Sequence, residues 1–490
     1  MATTTPATSG QLSRPWLWAG VLVVTAISAG AVAAIVGPLR DPDLYWHIRL
    51  GNELLDGISI YDAGRDWSFA PVQYTWVSTQ WIVEILFAWL DNVAGFSGLI
   101  AYRTVTTILT LLTLGLVIFR NTRVWAAVVV FPLPAATLFI FAQERPQQVS
   151  FIMLPIVGYW WLRATRDGTV PRWWLLLVIS AIWANCHGLW VLLPVVLGLA
   201  LVGRLLDHGR SDPVLRPLAL GVVASIVGGC ITPVGPLNLL APIRFAGTTA
   251  HIKEWDPTSF IFPASYGFTA LMLLLVIAWA RGRVRPARSE ILLAAAMAIM
   301  AAAASRNLCP AVLVLAPVAA WRLSVAFAGP RPRPVPDGLA PVIKPAAFVI
   351  GGIGLVLAAG AVALSVPLPV GTQPVSLVKQ IAANPGENRV LNSYNAGGLV
   401  LWFARPQVSK SFVQVGIDGR ADRYGAAYID EYLAMQRGKP GWEATVARLN
   451  PNVALLADED ALVPLLQSQG WQVIGREAEY VLLTPNGARR

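Results

Sequence analysis

Charge is scarce in this sequence. Only 13% of its 490 residues are Asp, Glu, Lys or Arg, against about a quarter in an ordinary soluble domain. That scarcity excludes a conventional globular chain. Cysteine is scarcer still. Cys186, Cys230 and Cys309 each lie in or beside an apolar run, where a thiol reads as a small buried side chain. The chain after Val366 has no cysteine, so no disulfide framework supports it. No phosphate-cradling glycine loop, paired-cysteine zinc pattern or nucleophile elbow occurs. No sequence repeat is found.

What remains is hydrophobic. Apolar residues make up 56% of the chain and mean hydropathy is +0.58. Runs of span length fall at 16–39, 98–119, 124–141, 149–162, 173–186, 189–206, 218–234, 266–280, 291–304, 309–327 and 346–366. By the rule that roughly 20 apolar residues cross a bilayer, that is about eleven spans. The first is longer than a signal-peptide core and reads as an uncleaved span.

The net charge is +10, but its distribution is not that of a nucleic-acid-binding surface, and no nucleic acid is expected as a partner. Alternate connections carry Arg120 and Arg123; Arg163, Arg166 and Arg172; Arg204, Arg210 and Arg216; Arg281, Arg283, Arg285 and Arg288. The intervening connections carry far fewer cations. Cytoplasmic loops hold the excess of Lys and Arg, so the N-terminus is expected inside. The long loop 40–97, the loop 235–265 and the tail are expected outside.

The predicted fold class is an α-helical polytopic membrane protein with a C-terminal soluble α/β domain. Residues 1–15 read as a disordered cytoplasmic segment, 16–366 as the transmembrane module and 367–490 as the extracytoplasmic domain. In the tail, stretches 389–392, 412–417, 453–456, 471–474 and 480–483 read as strands, with helices at 397–404, 426–436, 441–449 and 461–469. In the loop, helical spacing of Leu44, Ile48, Leu50, Leu54 and Leu55 predicts one amphipathic helix, and 79–93 a second. Both are expected to lie along the outer membrane surface.

The sharpest local signal is Asp41-Pro42-Asp43-Leu44-Tyr45-Trp46-His47. Two carboxylates at a helix start can simply cap it. His47, four residues after Asp43, shares its helical face and adds a possible acid–base partner or half of a metal site. Arg145 and Arg306 sit at outer ends of runs, where a forked guanidinium suits a phosphate. His187 sits at another outer end. Arg244, Lys253 and Glu254 share the outer loop 235–265, a Pro/Gly-rich segment of the kind that gates cavities. Asp418, Arg420, Asp422 and Arg423 follow a tail strand and read as a salt-bridged turn.

The layout resembles the GT-C superfamily of integral-membrane glycosyltransferases. Within it, the chain is similar to bacterial membrane proteins with an Asp-Pro-Asp-Leu-Trp-Trp-His motif, one aromatic exchange from the residues here. The resemblance extends to Trp76–Trp81, Arg145-Pro146-Gln147, Trp183-Ala184-Asn185, Glu254-Trp255, Arg306-Asn307 and the run from Ile417 to Asp422. It implies inverting transfer of a sugar from a polyprenyl-phosphate carrier to an extracytoplasmic acceptor at a bacterial cytoplasmic membrane. Asp43 or Asp41 would be the base, with His47 orienting it or donating to phosphate. Arg145, Arg306, His187, Arg244, Lys253 and Glu254 would contact substrate. A divalent metal, Mg or Mn, is left open, with Asp41, Asp43 and His47 as its ligands. Two rivals stand beside this reading: a lipid or solute transporter, and a non-catalytic envelope scaffold.

The loop asymmetry is directly testable. A compartment reporter fused after Arg490 should report the outside, and one within 281–288 the cytoplasm. The reverse result at either position would invert the assignment.

Overall fold

The computed structural model describes residues 39, 41–71, 76–241, 253–282, 285–328, 373–405 and 412–486. The expected spans 16–39 and 346–366 lie outside these, apart from Leu39.

The loop contributes α1 (Leu44–Leu55) and α2 (Trp81–Ala94). The bundle follows as α3 (Phe96–Asn121), α4 (Val124–Val130), α5 (Pro132–Phe141), α6 (Gln147–Asp167), α7 (Trp173–Ala184), α8 (Leu192–His208), α9 (Leu215–Gly229), α10 (Tyr266–Arg281), α11 (Arg288–Ala303) and α12 (Leu308–Ala328). All nine expected spans within the described residues are helical. Five stretches are long and apolar enough to cross a membrane: Phe96–Asn121, Val124–Phe141, Gly188–His208, Pro263–Arg281 and Ser305–Phe327. Helices α7 and α9 are apolar but shorter. The chain is a polytopic membrane protein with a C-terminal domain.

Helix α12 runs through the bundle's centre, with 89% of its apolar window buried against 33% for the stretch containing α10. Its Val312–Ala316 segment is enclosed on all sides. Charges inside the bundle are paired, as the cost of an isolated charge demands. Arg103 pairs with the fully buried Glu144. Glu290 meets Arg322 at 3.5 Å and accepts from Trp279 Nε1 at 2.9 Å.

The tail comprises α13 (Val375–Ala383), β1 (Glu387–Asn392), α14 (Gly397–Phe403), β2 (Phe412–Val415), α15 (Ala421–Tyr424), α16 (Ala426–Gln436), α17 (Trp442–Leu449), β3 (Val453–Ala457), α18 (Leu462–Ser468), β4 (Gln472–Glu477) and β5 (Tyr480–Thr484). The sheet order is β2-β1-β3-β5-β4. Strands β2, β1 and β3 are parallel, and β5 joins β3 antiparallel with Leu455 opposite Leu482. The five strands fall where the sequence puts them. Helix α13 was not expected, although Leu377, Val378, Ile381 and Ala382 form one buried face.

The loop helices depart from expectation. Helix α1 buries every residue from Leu44 to Gly51, so over that stretch it offers no apolar face to a bilayer. It is sandwiched between α2 and tail helix α14, and Arg49 Nη1 donates to Leu401 O at 2.8 Å. The reason is composition: Tyr45, Trp46 and Ile48 leave it little polar face to give to water. Only α2 keeps an exposed apolar stripe, Leu86, Trp89 and Val93. Leu44, Ile48 and Phe87 of the loop share one hydrophobic core with Val390, Leu399 and Val415 of the tail.

A buried cation fastens this junction. Arg420 donates through Nε and Nη2 to Asp418 at 2.8 and 2.7 Å and through Nη1 to Gly64 O at 2.7 Å. It lies over Trp67 and Trp76 at 4.5 and 5.0 Å. Burial works against ionisation of Asp418, but Arg420 and Tyr424 hold its pKa below the usual carboxylate range. The salt-bridged turn expected here is present, and it joins tail to loop. Arg420→Met keeps volume but strands Asp418. Removing one partner of a buried pair costs about 3–5 kcal/mol, so the variant should melt well below wild type in detergent. An unchanged melting temperature would mean the pair does not hold the junction.

Candidate active site

A cavity of about 810 Å³ opens between the bundle's end and the tail. Seven of the nine residues singled out from sequence line it: Asp41, Asp43, His47, Arg145, His187, Glu254 and Arg306. Arg244 lies outside the described residues. The backbone of Lys253 forms a short 3₁₀ turn with Glu254 and Trp255.

The two motif carboxylates have different surroundings. Asp41 has a fully buried side chain. Its Oδ2 and Oδ1 accept from Arg145 Nε and Nη2 at 2.5 and 3.0 Å, and Oδ1 also accepts the Asp43 backbone N–H at 3.1 Å. Asp43 occupies the cap position of α1 but makes no side-chain capping bond. Its side chain remains 30% exposed and lies 3.5 Å from Arg145 Nη2. Burial and the neighbouring Asp41 charge raise its pKa to about 6, against the lowering effect of Arg145 and His47. Asp41 is therefore committed to Arg145, while Asp43 has an oxygen to offer a ligand.

Arg145 is more encumbered than a phosphate clamp should be. Besides Asp41, its Nη1 donates to both Glu254 oxygens at 2.6 and 2.9 Å. Burial opposes its charge, but Asp41, Asp43 and Glu254 hold its pKa well above the usual value. Its sequence neighbour Glu144 turns away to Arg103. Arg306 is freer. It makes no ion pair among the described residues and lies 4.5 Å over the Trp255 ring.

His47 does not pair with Asp43. Its Nδ1 meets Glu84 Oε1 at 2.9 Å, with Glu84 fully buried on α2. The cause is Gly51, one helical turn after His47. A Cβ there would stand 1.9 Å from the Glu84 carbonyl oxygen, so α1 and α2 touch backbone to backbone. Sequence reasoning missed Glu84. The available signal was an acid between Val83 and Ile85 in an apolar first turn.

Asp41, Asp43 and His47 do not make a metal-ligand set. Both Asp41 oxygens hold Arg145, so Asp41 does not complete a set with Asp43 and His47. Among the described residues no three His, Cys, Asp or Glu side chains gather as metal ligands.

The tail supplies the opposite wall with Tyr394, Asn395, Gly419 and Asp422. Asp422 accepts from Trp76 Nε1 at 2.9 Å, and burial raises its pKa to about 6 despite that bond. The turn expected to be only structural thus also borders the cavity.

No protein-family model and no curated protein sequence matches the chain. Its fold is similar to that of ArnT from Cupriavidus metallidurans, solved bound to undecaprenyl phosphate. The TM-score is 0.51 at 16% identity, over 97% of this chain and 99% of that one. The chain has the GT-C fold. It is also similar to the arabinofuranosyltransferase AftD from Mycobacteria, with a TM-score of 0.47 and 14% identity over 98% of this chain and 40% of that one. The chain thus spans less than half of AftD.

The contact between Asp43 and the tail of this GT-C fold is tight. A Cβ at position 419 would stand 1.9 Å from Asp43 Oδ1, so only glycine allows the carboxylate its place. Gly419→Ala should lower the melting temperature by an amount equivalent to about 1–3 kcal/mol. Adding Asp43→Gly should recover part of that loss, because residues in contact are not additive. Strict additivity of the two changes would show that they do not touch.

Proposed function

We propose that the protein is a membrane glycosyltransferase that moves a sugar from a polyprenyl-phosphate carrier to a hydroxyl acceptor on the outer side of a bacterial cytoplasmic membrane. The observation that carries this reading is a partly exposed carboxylate, Asp43, sharing one cavity with the guanidinium of Arg306, which makes no ion pair among the described residues. The solved neighbour ArnT holds a polyprenyl phosphate, which supports the choice of donor.

In this reading Asp43 is the base. It takes the acceptor proton while the acceptor oxygen bonds to the anomeric carbon. The bond from that carbon to the phosphate oxygen breaks, and its electron pair leaves with the lipid phosphate. A carboxyl with a pKa near 6 is ionised at neutral pH yet more basic than an ordinary aspartate, which suits general-base work. Arg306 offers the phosphate its charge, where neutralising the leaving oxygen lowers the barrier. Arg145 reaches the phosphate only if Glu254 yields, so its first role is to hold Asp41. Residues 16–366 then form the membrane module and 367–490 the outer domain that closes the cavity.

Asp43→Asn should abolish transfer from a polyprenyl-phosphate sugar, a loss of about a hundred- to ten-thousand-fold. It should not lower the melting temperature at neutral pH. A carboxyl whose pKa is raised on folding favours the folded state when protonated and disfavours it once ionised. The wild-type rate should fall as pH drops through about 6, where the base becomes protonated. Asp41→Asn, by contrast, should destabilise the protein, because it breaks the buried pair with Arg145. Normal turnover by Asp43→Asn would rule out this base.

A further inference from the structure

The cavity contains two buried imidazoles whose hydrogen-bond partners are of opposite kinds. His47 Nδ1 faces the Glu84 carboxylate at 2.9 Å. A carboxylate only accepts, so with Glu84 in that form Nδ1 is the donor and Nε2 is the ring atom that remains for a ligand. His187 is held the other way. Its Nδ1 accepts the Leu189 backbone N–H at 3.2 Å. Ser150 Oγ, 3.0 Å from the same nitrogen, already accepts from Trp183 Nε1 at 2.7 Å. Because Nδ1 accepts from Leu189 and carries no proton, the serine hydroxyl is the donor in that contact. With two donors on Nδ1, the ring proton of His187 must sit on Nε2.

We propose that the cavity is polarised for proton movement, with His47 as acceptor through Nε2, oriented by Glu84, and His187 as a neutral donor through Nε2–H, oriented by Ser150 and the Leu189 amide. The proposal rests on the transferase reading for the identity of the ligands, a hydroxyl on the His47 side and a phosphate monoester on the His187 side. The groups around His47 fit its part. Asp43 precedes it by one helical turn, Glu84 backs it from α2, and Arg145 and His187 face it across the cavity. When Asp43 has taken the acceptor proton, His47 Nε2 draws it off, and Glu84 balances the imidazolium that forms. Asp43 returns to its ionised form, and the imidazolium gives the proton to water. The relation of Glu84 to His47 is that of the carboxylate which fixes tautomer and orientation in a catalytic triad.

The surroundings of His187 fit the complementary part. Burial, then the charges of Arg306 and Arg145, push its pKa down to about 3. It stays neutral across the working range and serves as a donor without adding charge. Beside Arg306 it supplies a directional hydrogen bond to a phosphate oxygen, which a guanidinium stacked on Trp255 supplements with charge. Glu84, Ser150 and Trp183 act through these two rings as positioning residues.

The chain has four histidines, so the rings can be resolved by ¹⁵N-histidine NMR of the full protein in detergent. His47 should show its proton on Nδ1 and His187 on Nε2 at neutral pH. The opposite tautomer at either ring overturns the proposal. A second measurement separates a working dyad from a merely structural pair. Diethyl pyrocarbonate attacks an unprotonated ring nitrogen that it can reach, so mass spectrometry should find His47 modified and His187 spared. Glu84→Gln, whose amide can donate to Nδ1 and move the ring proton to Nε2, should protect His47 at least tenfold. An unreactive His47 in the wild type, or equal reactivity in the variant, would sink the dyad. Geranyl phosphate should move the His187 Nε2 signal. If it binds but leaves that signal unmoved, the donor role fails. If it does not bind at all, the polyprenyl-phosphate reading fails while the tautomer assignments stand.

Discussion

The guanidinium of Arg145 is the point on which the cavity end of this molecule depends. It joins three segments that are far apart in sequence: Asp41 before α1, the turn before α6, and Glu254 in the loop before α10. A largely enclosed charge must be compensated, and the two carboxylates that do so are thereby positioned. Asp41 is fully used in the process. Asp43, two residues on, is left with one side toward the cavity and a pKa set by burial and by its neighbour. The chemistry proposed for Asp43 thus depends on a clamp in which it is only the third carboxylate.

A second buried guanidinium does the same for the opposite wall. Arg420 binds Asp418 and a loop carbonyl while covered by Trp67 and Trp76. This brings Gly419 against Asp43 and Asp422 to the cavity's rim. The tail is therefore more than an appended soluble domain, because its strands β1 and β2 share a hydrophobic core with α1 and α2. That common core explains why α1 is enclosed and why only α2 keeps an apolar stripe on its outer side.

Much of this was legible in the residues. Hydropathy places the nine described spans, which fold as ten helices, and strand patterning places the five described strands of the tail, because both signals are local. The motif from Asp41 to His47 and the cations Arg145 and Arg306 could be singled out because charge is rare in such a chain. The partnerships were less legible. His47 was matched to Asp43 by helical spacing, but Gly51 lets α2 approach so closely that Glu84 takes that place. The residue type of Arg145 suits a phosphate or an ion pair equally, and only the fold shows that Asp41 and Glu254 occupy its donors.

The sequence by itself determined the membrane class, the α/β tail and the residue types gathered around the cavity, since these follow from composition and periodicity along the chain. Only the tertiary structure decided which aspartate is spent on an ion pair and which faces the cavity. It also decided that Glu84 orients His47, and that a tail glycine bounds the site. Each of those depends on the distance between side chains from separate segments, and on the burial that such contacts impose. A lone sequence carries neither.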